Sequence, residues 1–93
     1  MLLETSTNKL SAVTKTLIND MMLLSTKQEM ALFLRDLLTT DELKEFGNRW
    51  KAVQMLTEKR PYFEIIDTTR LSSRTIARIS RWLAQGAGGY RIL

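Results

Sequence analysis

The chain reads as an all-α protein, and three observations carry that reading. Glycine and proline are scarce, four and one in 93 residues, with three of the glycines packed into Gly86–Gly89, so the interior offers few hairpin turns. Thr26 with Glu29, and Thr39 with Glu42, are spaced as capping boxes, in which each side chain bonds the other's free backbone N–H at a helix start. Apolar residues recur every three or four positions, the period of a helix face rather than of a strand.

The first helix is expected from about Lys9 to Leu24, where Leu10, Val13, Leu17, Met21 and Leu24 form a stripe widened by Ile18 and Met22. Such a stripe suits either a core-facing helix within one subunit or a dimer seam, and the small size of the chain favours the seam. The second helix starts at the Thr26 capping box. With Met30, Leu32, Phe33, Leu34, Leu37 and Leu38 it is apolar nearly all round, so it needs cover on both sides. The third starts at Thr39-Thr40-Asp41-Glu42, with Thr39 as N-cap and two acids against the positive helix end, and runs to about Lys59. Its expected buried face is Leu43, Phe46, Trp50, Val53 and Leu56, and Gly47 suggests a backbone passing close by. Pro61 forces a break.

Residues 62–85 have the layout of a helix-turn-helix: a short helix from Tyr62 to about Thr68, a bend at Thr69-Arg70-Leu71, and a second helix capped by Ser72. Ile65, Leu71, Ile76 and Ile79 fall where the motif buries apolar side chains. Two positions depart from the ideal. Ile66 stands where a small residue lets the helices approach, and Arg70 stands at a turn position where glycine readily takes positive φ. At about 100° per residue, Ile76, Ile79 and Leu83 share one side of the second helix, and Arg74, Arg78 and Arg81 lie almost opposite.

Composition narrows function as well as fold. With no Cys and no His, disulfides, zinc fingers, thiol or imidazole nucleophiles and imidazole acid–base catalysis are excluded. Asp41 with Glu42, and Glu64 with Asp67, suit capping and a solvated helix face better than catalysis, so no enzyme is expected. Met21, Met22, Met30 and Met55 read as gap-filling core residues. The longest apolar run, Met30 to Leu34, is five residues against the ~20 that a membrane helix needs. The start, Met1-Leu2-Leu3-Glu4-Thr5-Ser6, lacks a basic segment followed by an apolar one, so no secretory signal is expected and the cytoplasm is the expected compartment. One domain over residues 1–93 is expected, and a lone domain of this length buries only roughly 60 to 65% of its unfolded surface, which makes a shared core attractive.

Charge is unevenly divided. Residues 1–43 carry four basic and six acidic side chains, net −2, and residues 44–93 carry ten and four, net +6. From Arg70 onward there are five arginines and no acidic side chain, so an anionic partner is expected there and an ordinary balanced, solvated face is not. Double-stranded DNA fits best: Ser73, Arg74 and Ala77 in the first turn would face base edges in the major groove, and Arg78 and Arg81 would reach phosphates. The alternative from another class is a protein-interaction module docking an acidic partner through the same helix pair.

The run Leu38-Thr39-Thr40-Asp41-Glu42, then Gly47-Asn48-Arg49, then Ser72-Ser73-Arg74-Thr75-Ile76-Ala77-Arg78, resembles the bacterial tryptophan-repressor superfamily, in its short Trp-repressor-like (YerC/YecD) branch. The resemblance covers about residues 28 to 92, including the closing Trp82-Leu83 and Gly88-Gly89-Tyr90-Arg91. It implies a Trp-repressor-like helical domain whose N-terminal and central helices, about 9–59, interlock two chains into a homodimer, with the helix-turn-helix at about 62–85. It implies a transcriptional repressor on a near-palindromic operator, with Ser72, Ser73, Arg74, Thr75, Ala77, Arg78 and Arg81 at the DNA. Thr39, Arg49, Thr75 and Arg78 match positions that surround L-tryptophan or nearby phosphates in the tryptophan-responsive repressor. Ile79 and Trp82 depart from the glycine and serine found beside the ligand, and Trp82 is expected to occupy the corepressor's place from within. No cofactor is therefore expected, with L-tryptophan or a related effector at Thr39, Arg49, Thr75 and Arg78 as the alternative. A structural reading of Arg49 is a surface pair with Glu45, four residues before it.

Overall fold

In the computed structural model, residues 10–86 and 88–92 are described, and among them every regular element is a helix. They are α1 (Ala12–Met21), α2 (Lys27–Leu37), α3 (Thr40–Thr57), α4 (Tyr62–Thr69), α5 (Ser73–Gln85) and α6 (Gly89–Ile92). The chain divides into two compact units, one up to Leu43 and one from Lys44 onward. That boundary is also where the net charge changes sign.

In the N-terminal unit the helices begin where side chains supply the missing hydrogen bonds. Ser11 caps α1 by accepting the Thr14 N–H at 3.1 Å. The helix is shorter than the stripe suggested: Leu23 and Leu24 turn tightly back onto the Asp20 and Met21 carbonyls, which ends it, and Lys9 lies outside the described residues. At α2 the capping box forms in full. Thr26 Oγ1 accepts the Glu29 N–H at 3.0 Å, and Glu29 Oε1 accepts the N–H groups of Ser25 and Thr26 at 2.8 and 3.3 Å and the Ser25 hydroxyl at 3.2 Å. The Ser25 backbone N–H first, with the Ser25 hydroxyl and the Thr26 N–H, holds the Glu29 carboxyl below the ordinary carboxylate range. The box at α3 repeats this chemistry: Thr39 N–H donates to Glu42 Oε1 at 2.8 Å and the Glu42 N–H donates to Thr39 Oγ1 at 3.1 Å. Glu42 is lowered in the same way, chiefly by the Thr39 N–H.

None of the described residues in this unit is buried. Leu17, Leu24, Phe33 and Leu34 are half-buried, whereas Val13 is 81% exposed, Met22 79% and Leu32 55%. Met22 is therefore no core filler in this chain, unlike Met55.

The C-terminal unit has a core. Ala52, Val53 and Met55 of α3 meet Ile65 of α4, Leu71 of the turn, and Ile76 and Ile79 of α5, with Leu56, Leu83 and Tyr90 packed against them. Phe46 and Trp50, expected on the buried face of α3, are exposed instead. Phe46 lies six residues, about 9 Å of helix rise, before Ala52, beyond the reach of the core residues of this unit. Among the described residues no backbone passes beside Gly47, where a Cβ would meet nothing within 4 Å.

α3 ends in a left-handed cap. Lys59, at φ 61°, donates to the Leu56 carbonyl while the Arg60 N–H reaches the Met55 carbonyl, which satisfies the last turn. Arg60 then bonds Glu64 at 2.8 Å and Glu58 at 3.3 Å, and Pro61 opens α4. At the other end, a Cβ on Gly86 would lie 2.5 Å from the Trp82 carbonyl oxygen, and Gly88 has φ +95°, so glycine is required at both. That turn returns α6 against α5 and seats Tyr90 on the core.

Candidate nucleic-acid interface

The helix-turn-helix is held by four apolar side chains and one hydroxyl. Ile65 and Ile76 are fully buried, Ile79 nearly so, and Leu71 closes the bend, as the spacing predicted. Thr69, 1% exposed, donates its hydroxyl to the Ile65 carbonyl at 2.7 Å and accepts the Leu71 N–H at 3.2 Å. One side chain thus satisfies both ends of the break between α4 and α5, in a buried place where an unpaired group costs about 1–3 kcal/mol. Threonine in a turn carries little signal by itself, which is why its role escapes the sequence. Ile66 does not wedge the helices apart, because it is 36% exposed.

Between the helices, Arg70 has φ 61° and ψ 13°, and its N–H bonds the Ile66 carbonyl at 2.8 Å. The left-handed region costs a residue with a Cβ about 1–2 kcal/mol. A cation at an exposed helix C-terminus returns only about 0.3–1 kcal/mol through the macrodipole. The position is strained on balance.

Ser72 caps α5: its Oγ accepts the Thr75 N–H at 3.1 Å and shares a 3.0 Å hydrogen bond with the Thr75 hydroxyl. Both hydroxyls are thereby engaged in fixing the first turn. Ser73, Arg74, Ala77, Arg78 and Arg81 are exposed, and Thr75 is half-buried. The structure thus presents the three arginines opposite the buried Ile76 and Ile79, and none of the three pairs with a carboxylate among the described residues. Arg70 and Arg91 are likewise without such a pair, whereas Arg49 and Arg60 are engaged.

Of the residues matched to a ligand site, Arg49 and Arg78 line one cavity of about 120 Å³, together with Ile79, Trp82 and Tyr90. Arg49 Nη2 bonds Glu45 at 2.7 Å, and its Nε is buried without a hydrogen-bond partner. Thr75 does not line this cavity, and Thr39 is engaged at the α3 cap in the other unit. Trp82 forms a wall of the cavity with 58% of its surface exposed. Small-molecule pockets commonly enclose about 300–1,000 Å³, so this one is small for an amino acid of tryptophan's size. A second, mainly apolar groove of about 480 Å³ lies between Trp50 and Val53 on α3, Leu83 on α5 and Tyr90. Tyr90 lines both. The only sequence sign of it is an aromatic residue following the glycine-rich turn.

The described residues define a class: an all-helical fold whose helix-turn-helix, followed by one short helix, carries an unneutralised arginine crest on its second helix. The profile of the family described as Trp repressor protein matches residues 12–93. The chain belongs to that family, one of DNA-binding transcription regulators rather than of enzymes. No curated protein matches the chain. Among the described residues, no helix is long and apolar enough to cross a membrane.

Proposed function

We propose that the chain is a sequence-specific transcriptional repressor of the Trp-repressor-like (YerC/YecD) branch that works in the cytoplasm. It binds double-stranded DNA as a homodimer on a near-palindromic operator, with residues 1–93 acting as one DNA-binding domain. The observation that carries this reading is the exposed, unpaired set Arg74, Arg78 and Arg81 on a helix whose start is fixed by the Ser72–Thr75 cap. In this reading Ser73, Arg74 and Ala77 face base edges, and Arg78 and Arg81 neutralise phosphates. Arg74 can take the O6 and N7 of a guanine together, a contact worth about 1–3 kcal/mol of discrimination.

The dimer reading is supported by Val13, Met22 and Leu32, apolar side chains that the N-terminal unit leaves exposed and that a second chain would cover. A second copy would also cover the exposed Phe46 and the open space at Gly47. DNA binding proceeds without tryptophan as corepressor, because Ile79 is packed in the core and Trp82 narrows the space beside Arg49 and Arg78.

Selection of bound duplexes from a random pool, with and without L-tryptophan, followed by footprinting and mass measurement in solution, tests the whole reading. A palindromic footprint from a dimer, unchanged by L-tryptophan, is expected. Equal binding to every sequence, a folded monomer, or capture of acidic proteins with no footprint overturns it.

A further inference from the structure

We infer that Arg70, at the turn of the helix-turn-helix, is a phosphate anchor for the bound duplex, an inference that rests on the DNA-binding reading above. Three observations converge on it. Its backbone is left-handed, φ 61°, at a position where glycine would sit without strain and where the helix dipole does not repay the cost of a side chain. Such strain clusters at functional sites, and of the two residues here that bear it, Arg70 and Lys59, only Arg70 lies within the helix-turn-helix. Its side chain is exposed and pairs with no carboxylate among the described residues, although Asp67 lies three positions before it. It is also two residues from the Ser72 cap, so its Cα lies within about 7.6 Å of the Ser72 Cα, one residue before the base-facing turn. In the DNA-binding reading, an extended guanidinium from there is near enough to meet the sugar-phosphate chain flanking the bases assigned to Arg74.

Lys59 supplies an internal comparison. It has the same left-handed backbone, φ 61°, and also follows a helix end, but it belongs to the cap of α3, outside the helix-turn-helix. If backbone geometry alone explained basic residues at both positions, glycine in either place would act alike. The anchor reading separates them. Arg70→Gly relieves strain and removes a phosphate contact, and Lys59→Gly only relieves strain.

The test is fluorescence anisotropy of the parent chain, Arg70→Gly, Arg70→Lys and Lys59→Gly on a random-sequence duplex and on a duplex selected by the parent, each across a series of salt concentrations. Arg70→Gly is expected to bind both duplexes about tenfold more weakly, the loss of one charge-assisted hydrogen bond. Its salt slope should be shallower by about 0.9. Its melting temperature should be no lower than the parent's, which shows that the loss is not one of folding. Arg70→Lys recovers most of the binding, and Lys59→Gly stays within about twofold. An Arg70→Gly chain that binds as the parent does, or a Lys59→Gly chain that loses as much, overturns the anchor while leaving the DNA-binding reading intact. A parent chain that binds neither duplex overturns both.

Discussion

The two units of this chain are built from similar helices and differ in what those helices bury. From Lys44 onward, seven apolar side chains, Ile65 and Ile76 among them, close a core. Up to Leu43, helices equally well capped leave Val13, Met22 and Leu32 in water. Local hydrogen bonding can therefore complete a helix without giving it a place to pack. The charge divides at the same point, net −2 before it and net +6 after it, so the unit that packs its own core also carries the cationic face. The two units thus differ in kind: the C-terminal one folds on its own core and carries the cationic face, and the N-terminal one leaves apolar faces that, in the proposed reading, meet a second chain.

Substitutions can break that comparison, beginning with the core. Ile76→Ala should cost the C-terminal unit about 2–5 kcal/mol, because Ile76 is fully buried and packed helices relax only partly into the space a lost side chain leaves. Denaturant unfolding followed by circular dichroism measures it, and a loss under about 1 kcal/mol would mean that the core is looser than described. In the N-terminal unit, Val13→Asp with Leu32→Asp would ordinarily be near neutral, since surface changes mostly stay within about ±0.5 kcal/mol. If those faces meet a second chain, the pair converts the dimer to a monomer by light scattering. An assembly state unchanged by both substitutions would remove the proposed contrast between the units.

On the cationic face, Arg74→Ala should relax base preference at one operator position, by about 1–3 kcal/mol of discrimination. Arg81→Ala should instead weaken all duplexes alike and flatten the salt slope by about 1. Competition binding against single-base operator variants distinguishes the two, and equal losses on every sequence from both would show that neither arginine reads a base.

The smallest expected effect is on pH. The Glu29 and Glu42 carboxyls are held below their ordinary range by backbone N–H groups at the α2 and α3 starts. A group depressed in the folded state stabilises fully above its unfolded value, and that contribution fades as pH falls through the folded value. Helix content should therefore decline below about pH 4.3, and Glu29→Gln with Glu42→Gln should reduce that part of the acid transition. An acid titration identical in parent and double variant would show that the caps contribute no pH dependence.

Much of this was legible in the residues alone, for identifiable reasons. Thr26 with Glu29, Thr39 with Glu42 and Ser72 ahead of Thr75 announce helix starts because the bonds they make span only three residues. Ile65, Leu71, Ile76 and Ile79 were legible because a tight turn leaves two helices few ways to pack. Phe46 misled because periodicity records which residues share a face, not how far along the helix a neighbour extends, and Trp50 because it borders an open groove beside Val53 instead of a filled one. The roles of Thr69 and Tyr90 were not legible because they lie in what meets these side chains in the fold: the Ile65 carbonyl and Leu71 N–H for one, the α3–α5 seam for the other. At the candidate interface, the arginine crest was visible as a charge pattern. Whether those arginines were spent on internal ion pairs was not.

By itself the amino-acid sequence determined the helices, their caps and the side of α5 on which positive charge accumulates, because each depends on neighbours within about a turn or two of backbone. Tertiary structure alone decided which apolar stripes are covered, which arginines stay free, and that Trp82 and Tyr90 border the space beside Arg49 and Arg78. Burial and ion pairing depend on groups far apart in the chain that only a folded backbone brings together.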